Sequence, residues 1–222
     1  ALGRRLNQSS NIDHPEALEN ARKLFAQKCE FLLSVAGSTQ LPNLLRDEVA
    51  FAGRSNVGKS SLLNALVGHK ALARSSNTPG RTRQINFFDL AGRLMLVDLP
   101  GYGYARAPRS DIVSWTGLVQ EYFRLRASLR RVCLLIDSRH GLKETDLAVM
   151  SILDETGVSY LIVLTKIDKI GEVELAMQME KVKAGIAKRP AAHPLTIATS
   201  VRVGTGIDDL RLALAPLAKP NV

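Results

Sequence analysis

The run from Ala50 to Leu66, "AFAGRSNVGKSSLLNAL", sets two glycines, a lysine and a pair of serines at one junction. An apolar stretch breaks at Gly53, and helix-forming residues resume after Gly58. Within it "GRSNVGKS" fits G-x-x-x-x-G-K-[ST], a pattern that carries meaning when a strand precedes it and a helix follows. Each residue type has its own chemistry. Gly53 and Gly58 let the backbone of Arg54, Ser55, Asn56 and Val57 curl, so that successive N–H groups face an anion. Lys59 adds a compact cation suited to the β- and γ-phosphates of a nucleotide. Ser60 offers a hydroxyl to Mg²⁺, and a helix beginning here turns its positive dipole end toward the same anion.

A phosphate loop does not choose a base. "LIVLTKID" does, because Thr165, Lys166, Ile167 and Asp168 follow a buried apolar run. A carboxylate at Asp168 can accept from both N1–H and the 2-amino group of guanine, while the methylene stem of Lys166 covers the ring. Adenine has an acceptor at N1 and no 2-amino group, so it would leave the carboxylate unpaired at a cost of a few kcal/mol, roughly. A TKxD run also fits an ordinary surface turn; its place at a strand end, well after a phosphate loop, favours the base-reading role. "LMLVDLPG" supplies Asp98, Leu99, Pro100 and Gly101. The carboxylate can hold Mg²⁺ through water, and the Gly101 N–H can approach a γ-phosphate with no side chain in the way. In "IATSVRVGTGIDDL" the residues Thr199, Ser200 and Val201 stand where a backbone N–H could reach the guanine oxygen, although a plain strand–turn–helix reads the same way.

These motifs need a scaffold, and the hydrophobic pattern provides one. Strands are predicted at Glu48 to Ala52, Gln84 to Leu90, Leu94 to Leu99, Arg131 to Ile136, Ser159 to Leu164 and Leu195 to Thr199. Helices are predicted at Pro15 to Gln27, Lys59 to Val67, Asp111 to Arg126, Glu144 to Glu155, Glu172 to Lys188 and Ile207 to Leu217. Strands that alternate with helices imply an α/β fold with a mostly parallel, six-stranded sheet covered on both faces. The chain reads as an N-terminal extension and helix over 1–30 and a single domain over 31–222, with the first thirteen residues and the last few frayed. Ala73 to Arg83 carries neither strand nor helix signal, and so long a loop in a small domain is often functional.

Composition limits the alternatives. The chain has 222 residues, 45% of them hydrophobic, enough for one substantial core. It contains no long uncharged apolar run and no signal-peptide pattern, so a soluble, cytoplasmic protein without membrane insertion is expected. Cys29 and Cys133 lack a CxxC spacing, and Cys133 sits in an apolar run as a small buried hydrophobe. His14, His69, His140 and His193 repeat at no metal-ligand spacing, which argues against zinc. A net charge of +9 suits a polyanionic partner such as RNA or anionic lipid, and also an ordinary soluble basic surface.

The order of phosphate loop, unstructured loop, DxxG, TKxD and TSx resembles that of translation-factor-class small GTPases. The wording is closer still. "AFAGRSNVGKSSLLNAL", "SNTPGRTRQINFF", "DLPGYGYARA", "LLIDSRHGLKETD" and "VLTKIDKI" together resemble the EngB family of bacterial ribosome-biogenesis GTPases, one of the TrmE–Era–EngA–EngB–septin-like group. The resemblance runs from about Phe31 to Leu217. It implies a Ras-like fold, binding of GTP and GDP, Mg²⁺, and a role in assembling the large ribosomal subunit or its precursor, with rRNA and ribosomal proteins as partners and a further part in cell division. DNA is not an expected partner, and a monomer is expected. By the same resemblance Thr82 joins Ser60 as a Mg²⁺ ligand, and Gly80, Arg81, Arg83 and Gln84 lie with it in a loop that closes over the nucleotide.

One position departs from the general GTPase pattern. Tyr102 follows DLPG where a Ras-like enzyme carries the glutamine that orients the attacking water, so no catalytic residue is assignable and slow, activator- or K⁺-dependent hydrolysis is expected. Asn56 resembles the asparagine that helps hold K⁺ beside the phosphates in related GTPases; it fits equally a residue that only braces the loop. Trp115, Leu118 and Tyr122 share a helical face, which suits core packing better than base stacking. Arg124, Arg126, Arg130 and Arg131 cluster at a helix end, either compensating its dipole or meeting rRNA. Asp137 and His140, in "DSRHGLKETD", read as shaping a loop near the nucleotide. A nucleotide kinase would need a lid and an acceptor site that the sequence does not display. A membrane-recruited GTPase would need a lipidation motif or basic amphipathic helix, also absent.

Overall fold

The computed structural model describes residues 15–42, 46–69, 72–73, 84–103 and 109–220, with the backbone alone for Ser38 and for residues 109–116. Along the chain run α1 (Pro15–Phe25), β1 (Cys29–Val35), β2 (Glu48–Gly53), α2 (Lys59–Leu66), β3 (Ile85–Leu90), β4 (Leu94–Asp98), α3 (Arg109–Leu125), β5 (Leu129–Asp137), α4 (Glu144–Thr156), β6 (Tyr160–Thr165), α5 (Glu172–Ile186), β7 (Ala192–Ala198) and α6 (Ile207–Leu214). The strands form one sheet in the order β1-β3-β4-β2-β5-β6-β7. β3 runs antiparallel to both β1 and β4, and the other neighbours pair in parallel.

The sheet therefore has seven strands, not six. The additional one is β1, at the edge beside β3, where Phe31 pairs with Phe88 and Val35 with Ile85. Its sequence, CEFLLSV, follows directly on a helix and leaves Phe31 and Leu32 exposed, so it lacks the alternation that marks a half-buried strand. The last helix is also shorter than predicted: it ends at Leu214, and Ala215–Leu217 continue as a 3-10 turn containing Pro216.

Alternation along the central strands separates two apolar layers. Ala50, Ala52, Val132, Leu134 and Ile136 face α3, α4 and α5, whereas Val49, Phe51, Cys133 and Leu135 face α1, α2 and α6. All six residues of β2 are buried, as expected of a strand covered on both sides. Cys29 and Cys133 are free thiols, and burial pushes each up to about 12.

At the end of the sheet away from the glycine loop, the buried carboxylate of Glu48 anchors the end of α3. It accepts from Tyr122 Oη at 2.8 Å, Arg126 Nε at 2.8 Å and Ser128 Oγ at 2.9 Å. Leu118 and Tyr122 thus belong to the core, while the side chain of Trp115 lies outside the described residues. Arg130 pairs with Asp47 at 2.7 Å, so two of the four clustered arginines are committed to acidic partners.

Candidate functional site

Four segments meet at the carboxyl ends of the parallel strands, where open α/β sheets bind ligands. The first leaves β2 at Gly53 and enters α2 at Lys59. No side chain caps α2: the N-cap is Gly58, at φ 104°. Among the described residues no side chain caps these first N–H groups, as an anion site requires. Gly53 is needed for contact as well as curvature, because a Cβ there would lie 2.8 Å from Val57 Cγ1.

Lys59 Nζ pairs with the Asp98 carboxylate at the end of β4, an oxygen buried in the same corner. Ser60 follows in the first turn of α2. Two hard oxygen ligands beside a lysine suit a small divalent cation. Among the described residues no group of three His, Cys, Asp or Glu side chains could hold a metal alone. Mg²⁺ usually takes several of its ligands from phosphate and water, with one or two from protein. Gly101 closes this corner: a Cβ would stand 3.0 Å from Ser55 Oγ and 3.3 Å from the Ser55 backbone.

The second half of the site is a pocket of about 300 Å³ whose lining includes Gly58, Ser61, Thr165, Lys166, Asp168, Thr199 and Val201. Three hydrogen bonds hold its walls. Thr165 Oγ1 donates to Val57 O at 2.7 Å, Thr199 Oγ1 to Leu164 O at 2.9 Å, and Lys166 Nζ to Asn56 O at 2.6 Å. Lys166 takes a left-handed conformation, φ 59°, and its ammonium also lies 2.9 Å from Asp137 Oδ2. Burial alone would raise Asp137, but Arg139 and Lys166 outweigh it and hold the carboxyl far below its usual range. Asp137 thus anchors the lysine whose stem walls the pocket.

Ser200 Oγ donates to Asp168 Oδ1 at 2.7 Å and lowers that carboxyl from its ordinary value. The other oxygen, Oδ2, is buried and accepts no hydrogen bond from the described residues, with the Lys169 ammonium 3.8 Å away. An ionised acceptor at a pocket wall with one oxygen braced and the other unmatched is suited to a ligand bearing N–H donors.

The structure brings together Gly53, Ser55, Asn56, Val57, Gly58, Lys59, Ser60, Asp98, Gly101, Thr165, Lys166, Asp168, Thr199, Ser200 and Val201. Ile167 opens the 3-10 turn that carries Asp168, and Leu99 and Pro100 are buried beneath Gly101. Two expected residues stand apart. The Arg54 side chain turns away from the pocket toward Asp146, and Gln84 is exposed ahead of β3. Gly80, Arg81, Thr82 and Arg83 lie outside the described residues. Tyr102 is buried, with its hydroxyl donating to Asp146 Oδ1 at 2.8 Å. Asp146 closes the quoted segment "DSRHGLKETD", yet sequence reasoning gave it no role of its own: a carboxylate at a helix-capping position does not reveal that Tyr102 and Arg54 converge there.

A family model described as a 50S ribosome-binding GTPase matches residues 48–166, more than half of the chain. Over 217 residues the chain is 55% identical to the probable GTP-binding protein EngB of Rhodospirillum rubrum, a match covering 96% of this chain and 94% of that protein. The chain belongs to the EngB family of GTP-binding proteins. A second EngB, from Bradyrhizobium diazoefficiens, is 52% identical over 202 residues, covering 90% of this chain and 93% of that protein. A crystal structure of a probable GTP-binding protein engB shares the fold at 23% identity with a TM-score of 0.61, covering 77% of this chain and 97% of that chain. Era in complex with MgGDPNP and nucleotides 1506–1542 of 16S ribosomal RNA shares it at 20% identity with a TM-score of 0.58, covering 80% of this chain and 58% of that chain. EngB proteins form a GTPase family, and this member is a GTPase.

Proposed function

We propose that this EngB-family chain is a guanine-nucleotide switch that acts on the large ribosomal subunit during its assembly. The observation that carries the nucleotide half is Asp168, which lines a pocket continuous with the glycine loop and whose Oδ2 accepts no hydrogen bond from the described residues. Guanine supplies the two donors that such a carboxylate needs, Lys166 covers one face of the ring, and the Val201 N–H reads the guanine oxygen. The backbone of Ser55 to Lys59 holds the β-phosphate, Lys59 exchanges Asp98 for phosphate oxygens, and the Gly101 N–H meets the γ-phosphate. Ser60, and Asp98 through water, would hold Mg²⁺, which would supply positive charge against the developing charge on the phosphates; Thr82 is the ligand expected from the loop outside the described residues.

Hydrolysis by this site is slow in isolation. Tyr102 replaces the usual glutamine, and its hydroxyl is committed to Asp146, so it cannot hold the attacking water. The missing charge comes from an activator or from K⁺ near Asn56, whose carbonyl is tied to Lys166 and whose side chain is exposed.

The ribosomal half is supported by the 50S ribosome-binding description of the matching family and by the net charge of +9. Sedimentation with precursor and mature large subunits, another RNA, and liposomes separates the candidate partners. Retention by large subunits with a GTP analogue and weaker retention with GDP is the expected result. Retention only by liposomes or by the other RNA, or equal retention in both nucleotide states, would overturn it.

A further inference from the structure

The residue after DLPG does not dangle beside the phosphate site. The Ser55 N–H donates to Tyr102 O at 2.9 Å and the Tyr102 N–H donates to Gly53 O at 3.3 Å, so Arg54 and Tyr102 form a parallel bridge. The glycine loop and the DLPG loop are zipped together at that point. Their side chains then converge. Tyr102 Oη donates to Asp146 Oδ1 at 2.8 Å, and Arg54 Nε lies 3.4 Å from Asp146 Oδ2. Asp146 is fully buried in the first turn of α4, where Oδ2 also accepts the Lys143 N–H at 2.9 Å. Burial raises both the Asp146 carboxyl and the Tyr102 phenol, the latter well above its ordinary value.

We infer that Asp146, acting through Tyr102 and Arg54, is a positioning residue that presets the Gly101 N–H for the third phosphate and so sets the preference for GTP over GDP. The inference rests on reading the Gly101 N–H as the γ-phosphate contact. Gly101 is caught between two fixed points: Ser55 packs against it, and Tyr102 is clamped to α4. A donor held in place loses little conformational entropy when phosphate arrives, whereas a loose one must be ordered by the ligand. GDP lacks the third phosphate and gains nothing from that ordering. The clamp therefore favours one nucleotide and not the other.

The test uses the full chain and fluorescent GDP and a non-hydrolysable GTP analogue. Wild type, Tyr102→Phe and Asp146→Asn are compared for affinity and for thermal midpoint. Tyr102→Phe removes only the hydroxyl and leaves the ring in the core; Asp146→Asn keeps the size but not the charge that Arg54 meets. Each variant should weaken the GTP analogue about 3- to 10-fold, the range of one lost hydrogen bond, while GDP stays within about twofold. An equal loss for both nucleotides, tracking a fall in thermal midpoint, would make the clamp merely structural and overturn the inference. So would an unchanged ratio in both variants. A wild type that bound neither guanine nucleotide would instead overturn the site reading on which the inference rests.

Discussion

At the scale of single residues, the site is decided by how donors and acceptors are matched. Asp168 has one oxygen braced by Ser200 and one that accepts no hydrogen bond from the described residues, and the Ser200 hydrogen bond lowers the carboxyl from its ordinary value. Asp168→Asn preserves shape and the Ser200 contact but turns an amide donor toward the guanine donors. A charged hydrogen bond contributes about 1.5–3 kcal/mol, so GTP and GDP should bind roughly ten- to a hundredfold more weakly. Xanthine nucleotides, which present an acceptor at that position, should bind more tightly than to the wild type. Competition titrations with guanine, xanthine and adenine nucleotides measure both effects; undiminished GTP affinity in the variant, or wild-type binding of ATP equal to GTP, would remove Asp168 from the role. These functional residues were legible because each motif ties a residue type to one chemical task. The second layer was legible only as a neighbourhood: Asp137 was placed near the nucleotide, but not its partner. Asp137 and Asp146 act by holding Lys166, Tyr102 and Arg54, and a sequence shows a carboxylate without showing which distant cation or hydroxyl it will face.

At the scale of elements, one chain of ion pairs ties the phosphate-loop helix to both ends of the protein. Arg211 on α6 donates from Nε to Leu66 O at 2.9 Å and from Nη2 to Ala65 O at 3.0 Å, satisfying carbonyls at the end of α2. Its Nη1 donates to Asp208 Oδ1 at 3.0 Å, and Asp208 Oδ2 meets Arg22 of α1 at 2.5 Å. Arg22, with help from Arg211, lowers the Asp208 carboxyl below its ordinary 3.8. The sign of the pH effect follows. A depressed folded value means that the unfolded chain binds the proton more tightly, so this stabilisation is complete above the unfolded value and is lost as pH falls through the lower folded one. Asp208→Asn should therefore melt below wild type at pH 7, by about 2–4 °C if the loss is near 1 kcal/mol, and the gap should close as pH falls below about 4. Melting curves from pH 3 to 7 decide it: a gap independent of pH would assign the effect to packing. The same scale shows what patterning could and could not reveal. β2, β5 and β6 are apolar runs closed by motif residues, and their bounds lie close to the predicted ones. β1 is an exposed edge strand defined by its register with β3, a non-local fact that no local pattern encodes.

At the scale of the whole molecule, charge is the remaining determinant. With 30 lysines and arginines against 21 aspartates and glutamates, the surplus is 9 (30 − 21), so at least that many cations have no acidic partner of their own. Several described acids are engaged within the fold: Glu48 with Arg126, Asp47 with Arg130, Asp89 with Arg46, Asp154 with Arg189 and Asp208 with Arg22 and Arg211. Pairing inside the fold thus consumes negative charge and leaves the surplus for the surroundings. Among the described residues no helix is long and apolar enough to cross a membrane. A phosphate backbone in the proposed partner suits this surplus, because each phosphate neutralised releases bound counterions. If the large subunit is held in this way, its affinity must fall steeply with KCl, by about 0.7–0.9 log units per contact for each tenfold rise in salt. Three or more phosphate contacts would give a slope of at least about −2 with a GTP analogue. The slope with GDP should be shallower, because a switch that loses part of its contact surface loses part of its counterion release as well. Subunit binding measured from low to high KCl in both nucleotide states reads the two slopes directly. Identical slopes would mean that the nucleotide does not alter the RNA-facing surface, and a flat profile would assign the contact to uncharged protein surfaces instead.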